Sequence, residues 1–104
     1  MKNTFFILIL LFFSVEGRAQ VLSPEELDRV MIYTELSRAL ENPEEVYALD
    51  LTKQKLTEFP RDIFKLSNLN ILILRKNKLE EIPDSIFILK HLQELNLSKN
   101  TKLL

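Results

Sequence analysis

Residues Leu49–Ile71 read LDLTKQKLTEFPRDIFKLSNLNI, and residues Leu72–Glu94 read LILRKNKLEEIPDSIFILKHLQE. Laid over one another at an offset of 23 residues, they agree column by column. Leu49 meets Leu72, Leu51 meets Leu74, Leu56 meets Leu79, and Pro60 meets Pro83. Ile63 meets Ile86, Phe64 meets Phe87, and Leu66 meets Leu89, with Phe59 answered by Ile82. The same step carries Leu72 and Leu74 on to Leu95 and Leu97, and Leu69 to Leu92. It also carries Gln54 through Asn77 to Asn100. One period held over so many columns marks a stack of short units, none of which can bury its apolar face alone.

Each unit predicts a strand and a return. The alternate leucines of Leu72-Ile73-Leu74 point to one face of a strand. Parallel strands need a crossover between them, and the rest of each unit supplies it. Asn77 falls where a buried amide can satisfy turn backbone. Gln54 replaces it in the first unit with a longer side chain. Pro60 and Pro83 fix the backbone where the return begins. Ile63, Leu66, Leu69 and Ile86, Leu89, Leu92 then recur in threes, as on one face of a helical return.

The pattern L-x-L-x-x-[NQ]-x-L-x-x-[FI]-P-x-x-I-F-x-L-x-x-L resembles the leucine-rich repeat family, in its variety with a 23-residue unit. The resemblance covers Val46–Leu104. It implies an α/β solenoid of short parallel strands with helical or 3-10 returns, whose concave sheet face binds partners. The third unit departs from the pattern, because the Leu56/Leu79 column meets Lys102 and Leu103 comes one place late. A third strand near Gln93–Leu97 is therefore expected to be an open edge with an apolar underside. One expectation is that the chain is the front of a longer receptor-like surface protein, or of a repeat-bearing enzyme whose activity is encoded downstream. The other is a short binding domain.

Ahead of the repeats, residues 1–19 read as an export leader. Lys2 supplies positive charge, Phe5–Phe13 is a continuous apolar run, and Gly17 and Ala19 are the small residues of a cleavage site before Gln20. The apolar run is too short to cross a bilayer core of about 30 Å as a helix. The expected destination is periplasmic, cell-surface or secreted, with no stable membrane span after cleavage. The Ala19-Gln20 junction resembles export signals of Bacteroidetes bacteria. Residues 20–45 are expected to form a helical N-terminal cap, and residues 46–104 the repeats. Ser23, Pro24 and Glu26 make a helix start with a capping box. Leu27, Val30, Met31 and Thr34 continue at helical spacing, and Asn42-Pro43 ends the helix.

The residues that follow the leader number 85, one small domain. With 14 basic and 15 acidic residues the chain has a net charge of −1, which gives no footprint for nucleic acid. There is no cysteine, so no disulfide can form even in an oxidising compartment.

If the paired leucines face inward, their strand neighbours face outward. Those are Ala48, Asp50 and Thr52, then Ile71, Ile73 and Arg75, then Glu94, Asn96 and Ser98. The concave partner-binding face is expected to comprise Asp50, Thr52, Ile71, Ile73, Arg75, Glu94, Asn96 and Ser98. Two isoleucines among charged neighbours suit a protein or peptide ligand, with a glycan as the second class. Scattered exposed apolar residues are also ordinary on surfaces. Lys53, Lys76 and Lys99 form a further period-23 column along one edge. It reads as a basic rim or as a charged edge that discourages strand pairing. Catalytic signals are absent: His91 is the only histidine, no phosphate-binding glycine loop exists, and no cofactor or metal is expected.

Overall fold

The structure is a computed structural model, and it describes residues 21–103. The leader expected over residues 1–19 lies outside the described residues. Four short strands form one parallel sheet in chain order: β1 (Ile32–Tyr33), β2 (Ala48–Asp50), β3 (Ile71–Ile73) and β4 (Glu94–Asn96). The repeat sets the register directly. Leu49 pairs with Leu72 and Leu72 with Leu95, each partner 23 residues on. The crossovers carry 3-10 turns: η1 (Pro43–Glu45), η2 (Arg61–Lys65) and η3 (Asp84–Ile88). Pro60 and Pro83 stand immediately before η2 and η3, as the sequence predicts.

The inward phase of the leucines is as expected. Leu49, Leu51, Leu72 and Leu74 are buried, with Ile63, Leu66, Leu69 and Leu79 filling the space between sheet and returns. Each fully buried leucine stabilises the fold by about 1.5–3 kcal/mol relative to an exposed one. Phe59 and Phe64 stack with ring centroids 5.3 Å apart, packing the return of the first repeat.

The turns are held by asparagine. Asn77 Oδ1 accepts the N–H groups of Gln54 and Leu56 at 2.9 and 3.0 Å, and its Nδ2 donates to the carbonyls of Leu51 and Leu74 at 2.9 and 3.0 Å. Asn100 repeats the arrangement one unit on: it accepts from Leu79 N–H and donates to the carbonyls of Leu74 and Leu97. These amides satisfy buried backbone groups that no strand partner reaches. Gln54 is exposed and reaches out of the column, donating to the Thr34 carbonyl at 3.2 Å.

The segment ahead of the repeats differs from the single helix expected over it. The capping box is present, with Ser23 N–H on Glu26 Oε2 and Glu26 N–H on Ser23 Oγ, but helix α1 spans only Pro24–Leu27. The chain then turns into β1, and a second short helix α2 (Leu36–Ala39) follows. Two forces override the helical spacing. Met31-Ile32-Tyr33-Thr34 is rich in strand formers, and β2 would otherwise leave its outer edge unpaired. β1 fills that edge, and Ala39, Tyr33, Leu36 and Leu40 cover the end of the core. Met31, placed on the helical stripe by spacing, is instead exposed.

A second feature has no counterpart in the sequence pattern. Leu22 is buried, its N–H donates to Gln93 Oε1 at 2.7 Å, and Gln93 Nε2 donates back to the Leu22 carbonyl at 2.9 Å. Asn70 Nδ2 donates to the same Gln93 oxygen and to the His91 carbonyl, both at 2.9 Å. The start of the described chain is thus strapped to the residue that precedes β4.

Candidate binding face

The face of the sheet opposite the leucines is organised in rows. Pairing puts Ile32, Ala48, Ile71 and Glu94 in one row, and Asp50, Ile73 and Asn96 in the next. Thr52, Arg75 and Ser98 follow at the same offset. All eight residues expected on this face therefore fall together, but their side chains are not equally available.

In the first and third repeats the polar residues bond to one another. Asp50 Oδ1 accepts the Thr52 N–H at 3.0 Å and the Thr52 hydroxyl. Asn96 Oδ1 accepts the Ser98 N–H at 3.0 Å and the Ser98 hydroxyl at 2.7 Å. Each pair closes the end of its own strand as a local turn. In the central repeat the same two columns hold Ile73 and Arg75, which cannot make that bond. Ile71 and Ile73 are half-buried on β3, between those polar pairs. Glu94 is exposed at the β4 end of the first row.

Ala48 departs from the expected pattern. It stands in the outward row yet is fully buried, with Ile32 and Ile71 as its lateral neighbours in register. A methyl between two larger side chains leaves a shallow floor. Ile32 extends the apolar row to the sheet's first strand and is 53% exposed. Helical spacing concealed it. The signal that could have found it is the pair Ile32-Tyr33, which matches the outward-inward order of Ile71-Leu72.

Beyond the last row, the backbone of Lys53, Lys76 and Lys99 turns left-handed at φ 59°, 58° and 63°. Strand-like bonds continue into this turn, from Lys53 N–H to the Arg75 carbonyl at 3.0 Å and from Lys76 N–H to the Ser98 carbonyl at 2.9 Å. The like charge of Lys53, and after it that of Arg75, pulls the Lys76 ammonium below the usual lysine range, with Lys99 adding to them. At the other end of the strands, burial and then the Glu45 carboxylate push the Tyr47 phenol up. Among the described residues no group of His, Cys, Asp and Glu is gathered that could hold a metal ion, and no helix is long and apolar enough to cross a membrane.

Comparison with known proteins bears on the same stretch. Residues 44–101 match the family model of the leucine rich repeat. Among solved structures, the chain is similar to a leucine-rich-repeat protein of Leptospira interrogans, at 32% identity and a TM-score of 0.45. That likeness covers 67% of this chain and 24% of the other, so the chain spans about a quarter of its length. No curated protein matches.

Proposed function

The chain belongs to the leucine-rich repeat family, a fold of protein-interaction modules, and from that premise we propose that it is a non-catalytic module that holds a protein or peptide on its concave face. The observation that carries this is the contrast between strands. Asp50 with Thr52, and Asn96 with Ser98, are tied to themselves, whereas the central repeat presents Ile71 and Ile73 on β3 and Arg75 in the turn after it. With Ile32 they make an apolar strip beside charged groups, the composition of a small recognition anchor.

The leader-like residues 1–19 support an exported location, in the periplasm, on the cell surface or secreted. Export is tested by the N-terminal sequence of the protein recovered outside the cytoplasm, which should begin at Gln20.

Binding is tested with Ile73→Glu in the full chain, by crosslinked capture of protein partners from the source cells. The substitution should leave the thermal melt nearly unchanged and remove partners that the unaltered chain captures. Unfolding by Ile73→Glu would instead make Ile73 part of the core and the face assignment wrong.

A further inference from the structure

Three successive repeats place a lysine where the backbone is left-handed: Lys53, Lys76 and Lys99. That conformation crowds any Cβ; glycine avoids the cost, and asparagine tolerates it best among residues with side chains. The choice of lysine is costly in a second way. Neighbouring strands stand about 4.8 Å apart, so the three ammonium groups share one edge with like charge beside like charge. Nor, among the described residues, does an acid answer them. The acids Glu35 and Asp62 are paired elsewhere, with Arg38 and Lys65. Asp50, in a neighbouring row, is bonded to Thr52. The turn's backbone bonds hold the left-handed conformation for any residue placed there, and Lys55 adopts it too at φ 57°. They do not offset the charge of lysine, and the same charge recurring at one position of three successive repeats points to a role outside the fold.

We propose that this edge is a rim for an acidic segment of the protein seated on the concave face: Lys53, Lys76 and Lys99, with Arg75 from the adjacent row, receive a run of its carboxylates. This rests on the reading of that face as a binding surface. The rim continues directly from the Ile73 and Arg75 rows, so a partner anchored on Ile71 and Ile73 carries its next residues onto the lysines. Lysine suits the task because its ammonium is a point charge with three donors on a flexible stem. It can follow carboxylates whose spacing differs from that of the strands. Arg75 adds one planar, two-pronged contact. Such a rim speeds encounter and selects against basic partners.

The test is fluorescence anisotropy of a labelled hexaglutamate peptide titrated with the full chain, with hexalysine and dextran sulfate as comparisons. The decisive variant is the triple Lys53→Asn, Lys76→Asn, Lys99→Asn. Asparagine accepts the left-handed backbone, so its melting temperature should hold or rise. Hexaglutamate should bind and hexalysine should not. Affinity should drop at least roughly tenfold in the triple variant, and steeply between about 50 and 200 mM salt. Ile73→Ser, which strips the anchor without altering charge, should leave hexaglutamate binding intact; loss of partner capture in this variant with the rim still working separates the two surfaces. Unchanged binding in the triple variant overturns the proposal, as does a large fall in its melting temperature, which would assign the lysines to the turn itself. Abolition of hexaglutamate binding by Ile73→Ser overturns it too. Tighter lysine-dependent binding of dextran sulfate overturns the acidic-segment assignment in favour of a sulfated glycan.

Discussion

The return segments η2 and η3 share one pattern, yet the first is packed and the second is half bare. In the first, Ile63, Leu66 and Leu69 are buried and Phe64 stacks on Phe59. In the second, only Leu89 is buried, Ile86 and Leu92 are partly covered, and Phe87 is 85% exposed. The strands show the same gradient: Leu49 and Leu72 are fully buried, and Leu95, in register with them, is 38% exposed. Burial of a repeat residue is therefore set by whether a neighbour stacks beyond it, and only secondarily by its own identity. One local difference adds to this. Ile82 stands where Phe59 stands in the first unit, so Phe87 lacks the aromatic neighbour that Phe59 gives Phe64.

The sharpest way to break the comparison is to truncate matched leucines. Leu72→Ala should cost about 2–5 kcal/mol in chemical denaturation, as for other fully buried leucines. Leu95→Ala removes the same atoms from a partly exposed site and should cost at most about 1 kcal/mol, within the range of ordinary substitutions. Equal costs would show that β4 is packed as tightly as β3. The turn amides come next. Asn77→Ala strands several buried backbone groups and should cost about 2–3 kcal/mol, whereas Gln54→Ala, exposed in the same column, should stay within about 0.5 kcal/mol. Then come the two phenylalanines, compared by shift in melting midpoint. Phe64→Ala loses a stacked pair and part of its buried area, about 1–2 kcal/mol; Phe87→Ala should be silent to within about 0.5 kcal/mol. Smallest is the exposed Lys65–Asp62 pair of η2, at 3.2 Å. Asp62→Asn should change stability by less than about 0.5 kcal/mol, and less still in high salt.

Much of the fold was legible in the sequence, though not the difference between the two returns, whose columns match. The leucine pairs gave the inward face and the strand register, because a parallel sheet built from a fixed period must pair equivalent positions. Asn77 and Asn100 were legible as turn amides for the same reason. Pro60 and Pro83 located the returns. Ile32 was hidden by the helical spacing around it: the Ile32-Tyr33 pair matches Ile71-Leu72, but two residues outweigh a helical stripe only once the open edge of β2 is known. The bond between Leu22 and Gln93 was hidden because it joins residues outside the repeat pattern to one within it. The period alone aligns the face residues in adjacent rows, but the self-bonding of Asp50 with Thr52 and of Asn96 with Ser98 depends on a two-residue spacing that reads as mere polarity. Ala48 was placed in the correct row, and only the size of its neighbours made it buried.

The most direct measurement is native-state hydrogen exchange at two amides of one column. Leu51 N–H bonds to the Ile73 carbonyl and Leu74 N–H to the Asn96 carbonyl, both at 2.8 Å. Their geometry is the same, and they differ only in the strand that accepts. If stability falls along the stack, Leu51 should exchange only with global unfolding, and Leu74 through a cheaper local opening of β4. Equal protection at both amides would contradict the gradient, and would mean that the clamp between Gln93 and Leu22 holds β4 as firmly as stacking holds β3.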